Sequence, residues 1–222
     1  MNVTRRLVAD ILLVLDHSTS IRVEGGDTYR HWRVVLDFAS CVAGAFRIAR
    51  NQTQVAVMKF STKAEVVFYL NKHRDRASLL KAIGKIRHEG GNTNLAEALR
   101  RGREVYMTSN GARSKVPKIL IMLTDGTATH EVERTQEEAT NTKADGITIF
   151  TVGVGGGVNK DELEKIASKP EYFFFATDFA DLRNILEKLL MSTTTTTTTS
   201  ARKTTTTESC KLLQSLMYSK FR

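Results

Sequence analysis

Apolar and polar positions along the chain fall into two alternating kinds of segment. Short apolar runs with little internal alternation occupy residues 8–15, 118–124 and 147–154. Such runs are typical of parallel strands that are buried on both faces. Longer segments between them repeat apolar residues every three or four positions, which predicts helices. One example is the set Val35, Phe38, Ala39, Val42 and Phe46.

Six strands and six helices are predicted in this way. The strands are 8–15, 54–60, 65–70, 118–124, 147–154 and 172–176. The helices are 29–49, 77–86, 95–107, 131–144, 160–168 and 179–190. The second and third strands are separated by a short turn at 61–63, which predicts an antiparallel hairpin. The remaining alternation of strand and helix predicts an α/β fold with a doubly wound, Rossmann-like central sheet. That sheet is mostly parallel with one antiparallel edge strand and has helices on both faces.

The chain changes character near its C-terminal end. Its 222 residues suffice for one domain with a sizeable core, which we predict over residues 1–191. Residues 192–209 contain runs of seven and four threonines, and we predict a disordered low-complexity linker there, or an O-glycosylated stalk. Residues 210–222 form a short tail, either a partner-binding amphipathic helix or a frayed end.

Composition excludes some classes of protein. The apolar fraction of 41% and charged fraction of 26% are ordinary for a soluble globular protein. No apolar run approaches the ~20 residues needed to span a membrane. A signal peptide is not visible, which fits either an intracellular protein or a fragment of a longer secreted one.

The net charge of +9 is unevenly distributed. Residues 22–118 hold 19 Lys and Arg against 8 Asp and Glu, whereas residues 119–222 hold 12 against 14. This excess is either a solvated basic face or a surface for an acidic partner, such as a sulfated polysaccharide or acidic matrix protein. Nucleic acid is not an expected partner, because no basic motif interleaved with aromatic residues is present.

Two cysteines and two sequons add smaller expectations. Cys41 lies in a helical pattern and is predicted to be a buried thiol. Cys210, in the tail, is predicted to be an exposed thiol or an intermolecular disulfide, which would make the chain an oligomer. Asn2 and Asn51 each begin an Asn-x-Thr triplet and are candidate glycosylation sites.

Polar residues follow strands or join helices in three loops. The first loop is Asp16-His17-Ser18-Thr19-Ser20, the second contains Thr93 within Gly-Gly-Asn-Thr-Asn, and the third contains Asp125 within Thr-Asp-Gly-Thr. Ligands of open α/β sheets bind outside the carboxyl ends of strands. Two carboxylates with several hydroxyls suit Mg²⁺ or Mn²⁺ better than Zn²⁺.

Structural and catalytic alternatives exist for these motifs. Each residue taken alone is also a good helix cap. His17 beside Ser18 offers a base and a nucleophile, but neighbours in a loop seldom face each other. The run 153–158 is similar to a dinucleotide-binding loop, yet Val158 stands where that motif needs a third glycine. We therefore expect no enzyme activity.

These motifs carry a resemblance to a known family. Asp16-x-Ser18-x-Ser20, Thr93 and Asp125 resemble the metal-ion-dependent adhesion site (MIDAS) of von Willebrand factor type A domains. Further similar stretches are 55–61, 153–155 and 161–168. The resemblance implies that these five residues bind Mg²⁺ or Mn²⁺ directly or through water. The family's second threonine is here Leu95, and the acidic residue often found after the third loop is absent.

The resemblance implies an extracellular function, like that of matrilins, collagen VI and integrin inserted domains. We expect a metal-dependent adhesion domain of a matrix or cell-surface protein that coordinates a Glu or Asp of a protein ligand, with collagen as one candidate. One alternative is a structural matrix spacer without metal-dependent binding. Another is a scaffold domain of an intracellular assembly.

Overall fold

The computed structural model describes residues 8–21 and 28–182. Its strands are β1 Asp10–Asp16, β2 Gln54–Phe60, β3 Ala64–Phe68, β4 Lys118–Thr124, β5 Ile147–Val154 and β6 Phe173–Ala176. Its helices are α1 Thr28–Gly44, α2 Arg76–Ile83, α3 Leu95–Val105, α4 Val132–Ala144 and α5 Lys160–Ile166. A further helix begins at Phe179 and continues to the end of the described residues.

The six strands form one sheet in the order β3-β2-β1-β4-β5-β6. All neighbouring pairs are parallel except β2 and β3, which are antiparallel. This confirms the mostly parallel α/β sheet with one antiparallel edge strand. The chain leaves β1 toward β2 on one side and later returns to β4 on the other. The strand order therefore reverses at β1 and β4, and their carboxyl ends flank the crevice where ligands of such sheets bind.

Helices cover both faces of the sheet, as predicted. Alternate residues of β1 enter different cores because successive side chains of a strand point to opposite faces. Ile11, Leu13 and Leu15 belong to the cluster that contains buried residues of α1 and α2. Leu12 and Val14 belong to the cluster that contains buried residues of α3, α4 and α5. All five side chains are fully buried, which explains why this strand shows no polar alternation.

Most element bounds differ from the prediction by no more than three residues. The largest difference is at α1, which ends at Gly44 although its apolar spacing continues to residue 49. Beyond Gly44 the chain turns, and Ile48 forms an isolated β-bridge with Thr53 that buries the Ile48 side chain. Glycine has a low helix propensity, which favours an end of the helix at Gly44. Ile48 is then buried through its bridge to Thr53 and not through a further helical turn. Cys41 is buried within α1, as predicted.

Several predictions fall on residues 1–7, 22–27 and 183–222, outside the described residues. They include the Thr-rich linker 192–209, the tail 210–222, Asn2, Cys210 and most of the last helix. Among the residues that the structure describes, no helix is both long and apolar enough to cross a bilayer.

Candidate metal centre

Asp16 ends β1, and its carboxylate is completely buried. One carboxylate oxygen, Oδ1, accepts a hydrogen bond from the backbone N–H of Ser18 at 2.8 Å. The other, Oδ2, accepts one from the hydroxyl of Thr124 at 2.5 Å. Thr124 ends β4, the strand next to β1, and its hydrogen bond fixes the orientation of the Asp16 carboxylate. Sequence reasoning placed Thr124 in the third loop but did not foresee this function.

A chain of hydrogen bonds joins the first loop to the third. The Ser18 and Ser20 hydroxyl oxygens lie 2.9 Å apart, and the Ser20 hydroxyl donates to Asp125 Oδ1 at 2.7 Å. Ser18 is buried, whereas Ser20 is exposed. The alternation in Asp16-x-Ser18-x-Ser20 thus brings three oxygen-bearing side chains to the side of the loop that faces Asp125.

Thr93 reaches the same place from the loop between α2 and α3. A Cβ atom added to Gly126 would lie 3.1 Å from Thr93 Oγ1 and 3.7 Å from Ser20 Oγ. Position 126 therefore has no room for a side chain without moving the threonine. The Thr93 N–H donates to Thr129 Oγ1 at 3.0 Å, and the Thr129 N–H donates back to the Thr93 carbonyl at 2.8 Å. All five predicted site residues are thereby brought together.

Two glycines allow the first and second loops to touch. Gly90 and Gly91 have φ angles of +87° and +119°, a region that side chains strongly disfavour. The Gly90 N–H donates to the His17 carbonyl, and the Thr19 N–H donates to the Gly91 carbonyl at 2.9 Å. A Cβ atom at Gly91 would lie 2.8 Å from Ser61 Oγ. The Gly-Gly pair is thus required by the close approach of these loops.

The site concentrates negative charge away from water. Burial, together with the nearby Asp16 carboxylate, raises the pKa of Asp125 to about 7, although the hydrogen bond from Ser20 opposes this increase. Burial likewise raises the pKa of Asp16, against the hydrogen bonds from Thr124 and Ser18. Two carboxylates that resist ionisation together are a fitting environment for a divalent cation, which would offset both charges.

The chemistry of the donor set agrees with such an ion. Two carboxylates and three hydroxyls supply hard oxygen donors of the kind that Mg²⁺ and Mn²⁺ prefer. No cluster of three or more His, Cys, Asp or Glu side chains suited to a metal occurs within residues 8–21 and 28–182. The fit of these loops to a cation therefore depends on their hydroxyls together with the two carboxylates.

His17 lies behind the site and is buried. Burial and the nearby Lys59 ammonium together lower its pKa to about 4, so the imidazole is neutral at physiological pH. Within the described residues its Nδ1 has no hydrogen-bond partner, and the Ser18 hydroxyl is paired with Ser20 instead. The geometry does not form the base and nucleophile pair considered from the sequence.

The glycine-rich loop after β5 borders the site. A Cβ atom at Gly157 would lie 2.8 Å from the Asp125 carbonyl oxygen, and the Thr127 hydroxyl donates to the Gly157 carbonyl at 2.7 Å. A cavity of about 790 Å³ opens beside Ser20 and Asp125 and is also lined by Arg30 and His31. A partner thus has access to the two acidic loops from this side.

Leu95 stands where the resembling family has its second threonine. It begins α3 and is fully buried in the apolar cluster that contains Leu12. We expect Leu95→Thr to lower the free energy of unfolding by about 1–3 kcal/mol, because it removes buried methyl groups and buries a hydroxyl. It should leave Mg²⁺ affinity within about twofold of wild type, because restoring the hydroxyl adds no required ligand. Urea unfolding and metal titration measure the two effects. A large gain in affinity would contradict this view of Leu95.

Comparison with known proteins agrees with the fold and with the family that the motifs resemble. The family model described as the von Willebrand factor type A domain matches residues 10–188. Human collagen alpha-5(VI) chain is 30% identical over 183 residues, covering 82% of this chain and 7% of the relative. Mouse matrilin-2 is 31% identical over 186 residues, covering 81% and 18%. Chicken matrilin-1 is 30% identical over 185 residues, covering 82% and 36%. The chain therefore spans only a small part of these matrix proteins.

Solved structures give the same result. Proximal thread matrix protein 1 from the mussel byssus, described with a zinc-occupied MIDAS motif, is 29% identical with a TM-score of 0.76. The match covers 82% of this chain and 47% of that one. Manganese-loaded TRAP protein of Plasmodium vivax is 20% identical with a TM-score of 0.64, covering 78% and 70%, and supports the fold alone. The chain belongs to the von Willebrand factor type A domain family.

Proposed function

We propose that this domain binds an acidic residue of a protein partner through a divalent cation held by Asp16, Ser18, Ser20, Thr93 and Asp125. The supporting observation is the hydrogen-bonded series Ser18–Ser20–Asp125 beside Thr93 and buried Asp16. It assembles five oxygen-bearing side chains from three loops at the carboxyl edge of the sheet. Mg²⁺ or Mn²⁺ is the proposed ion, and it would supply a coordination position for the partner's carboxylate.

The residues around the site leave it accessible to a partner. Ser20 is exposed, whereas Asp16, Ser18 and Thr93 are buried, so the site opens to a partner on one side. Arg30 and Asp178 both line the adjacent cavity, so the positive charge that would attract an acidic segment comes mainly from the proposed ion. The proposed setting is extracellular, because the matched relatives are collagen chains and matrilins. Collagen is one candidate ligand among matrix proteins.

The test is capture of matrix proteins by the full chain in the presence of Mg²⁺ or of a chelator. We expect immobilised matrix proteins, collagens included, to retain the chain in Mg²⁺ and to lose at least about 90% of it in chelator. Surface plasmon resonance measures both states on one surface. Retention that is equal in both buffers would contradict metal-dependent adhesion and would favour a structural spacer.

A further inference from the structure

A second polar cavity lies at the opposite edge of the sheet, where the parallel strands begin. It has a volume of about 390 Å³, and three segments contribute an arginine to it. Arg50 belongs to the turn before β2, Arg74 to the segment between β3 and α2, and Arg113 to the loop before β4. The other lining residues are neutral. We call this the arginine cavity.

Buried contacts hold the inner wall of the arginine cavity in place. Arg113 Nε and Nη2 donate to Asp10 Oδ1 at 2.9 Å and 2.6 Å, and Nη2 also donates to the Ala9 carbonyl. Asp10 is fully buried, so this ion pair has little freedom to rearrange. Arg113 Nη1 makes one long bond of 3.5 Å, to the Arg50 carbonyl. Since Nη1 carries two hydrogens, Arg113 keeps a donor for a ligand.

The loop before β4 and the segment after β3 also pack closely at the rim of the cavity. Gly111 has a φ angle of +93°, and a Cβ atom there would lie 2.7 Å from Asn71 Cβ. The Gln54 amide donates to Asp10 Oδ1 at 3.1 Å and to the Gly111 carbonyl at 2.9 Å. Polar contacts thus join the loop before β4 to β1 and to the start of β2, and the same loop packs closely against Asn71.

The charges of this cavity are not neutralised from within. Arg50 and Arg74 are exposed, and no acidic side chain of the described residues forms an ion pair with either. Another cavity, lined by Arg103, differs, because Arg103 pairs with Glu138 at 2.5 Å and with Asp145 at 3.5 Å. Asp10 offsets only one of the three positive charges in the arginine cavity.

We propose that the arginine cavity binds a sulfate group of a sulfated polysaccharide. Guanidinium groups present paired N–H donors that match the oxygens of such an anion and bind it more tightly than neutral donors do. Exposed Arg47, Lys72 and Lys115 lie within three residues of the lining arginines, which extends the positive surface for a polymer with repeated sulfates. The choice of a polysaccharide rests on the extracellular setting of the proposed function, but the site does not involve the metal centre.

Asn51 gives this surface a further property. It is exposed, it lines the arginine cavity, and it begins the Asn-Gln-Thr sequon. A glycan attached there would cover the mouth of the cavity and prevent the polymer from entering. The binding experiment therefore requires full-length chain without glycans, made in bacteria.

The probe is a heparin octasaccharide, and the variant is Arg50→Ala with Arg74→Ala. We expect about a tenfold loss of affinity by calorimetry, because two charge-assisted contacts are removed. The matched control is Lys81→Ala with Lys85→Ala, which removes two exposed charges from α2 and the segment after it, away from the cavity. Its affinity should fall by less than about twofold. Thermal unfolding of both variants should match wild type, since the replaced side chains are exposed.

Two results would overturn the proposal. An equal loss in both variants would show that the net charge attracts the polymer diffusely. Equal binding of a polyglutamate peptide of the same charge would remove the preference for sulfate. Binding should also be unchanged by chelator and by Asp125→Ala, so failure at this cavity is distinguishable from failure of the metal centre.

Discussion

Replacing Asp125 with alanine is expected to lower the affinity for Mg²⁺ and Mn²⁺ by at least about 100-fold. Residues that merely support a metal ligand already cost 10–100-fold when changed, and Asp125 is proposed as a ligand itself. Its loss also removes the acceptor of the Ser20 hydroxyl, so the hydrogen bond from Ser20 to the third loop is lost. Binding of an acidic protein partner should disappear with the ion.

Asp37→Ala is the matched control for this change. Asp37 is exposed on α1 and pairs only at the surface with Arg33, so its replacement alters net charge equally without touching the three loops. Calorimetric titration of wild type and both variants should include Zn²⁺, because the related mussel protein is described with a zinc-occupied MIDAS motif. Equal Mg²⁺ binding by wild type and Asp125→Ala would remove Asp125 from the site.

Without metal, Asp125→Asn is expected to be more stable than wild type at pH 8. The folded state raises the pKa of Asp125 from 3.8 to about 7, so it holds the proton more tightly than the unfolded chain does. The free energy of unfolding therefore falls as pH rises from about 4 to about 7. A shift of this size corresponds to about 4 kcal/mol at most. Asparagine carries no charge, and its amide oxygen can still accept the hydrogen bond from Ser20. The variant therefore keeps its stability as the pH rises.

Urea unfolding in chelator at pH 5 and pH 8 measures the effect. The advantage of Asp125→Asn should be about 2–4 kcal/mol at pH 8 and clearly smaller at pH 5, where wild type holds the proton. A divalent cation at 100 times its dissociation constant should add about 3 kcal/mol to wild type at pH 8 and nothing to the variant. Asp37→Asn should resemble wild type throughout. Equal stability of Asp125→Asn and wild type at pH 8 would show that the ionised Asp125 carboxylate does not destabilise the metal-free fold.

Together these two experiments measure separately how the buried carboxylates affect metal affinity and how they affect stability without metal. The buried carboxylates that the metal-free fold tolerates poorly are the same groups that are proposed to hold the ion. A domain selected for stability alone would be expected to neutralise Asp125, whereas a binding domain keeps it ionisable. The opposite signs expected for stability and metal affinity in Asp125→Asn therefore test function directly.

Local sequence patterns predicted most of the fold because they reflect short-range physical constraints. Strands buried on both faces appear as nearly continuous apolar runs, and β4 and β5 occupy the predicted residues. The strand predicted at 54–60, which contains Lys59, also matches β2. The short turn at 61–63 leaves little choice but an antiparallel hairpin. Where the prediction was wrong, at the end of α1, the apolar pattern continued while Ile48 entered the core through a bridge to Thr53. Apolar spacing indicates which residues are buried, but it does not distinguish burial in a longer helix from burial through a bridge.

The candidate metal residues were predicted from motifs, and the structure brings all five together. Their roles as ligands stay predictions, as do the glycosylation of Asn51 and the assignments of Asn2 and Cys210, which lie outside the described residues. Motifs alone did not reveal how the carboxylates are oriented. Thr124 is 108 positions from Asp16, and its hydroxyl reaches that carboxylate only because β4 lies beside β1 in the sheet.

Local patterns along the chain are enough to identify the family, the alternation of strands and helices, and the residue types that suit a hard cation. Which strands are neighbours, and with them the burial that raises the pKa of Asp125, follows from the tertiary structure. It alone brought Arg50, Arg74 and Arg113 to one cavity at the far edge of the sheet. The reason is physical: backbone preferences and side-chain periodicity act over a few residues, whereas convergence of distant loops depends on the direction of each crossover.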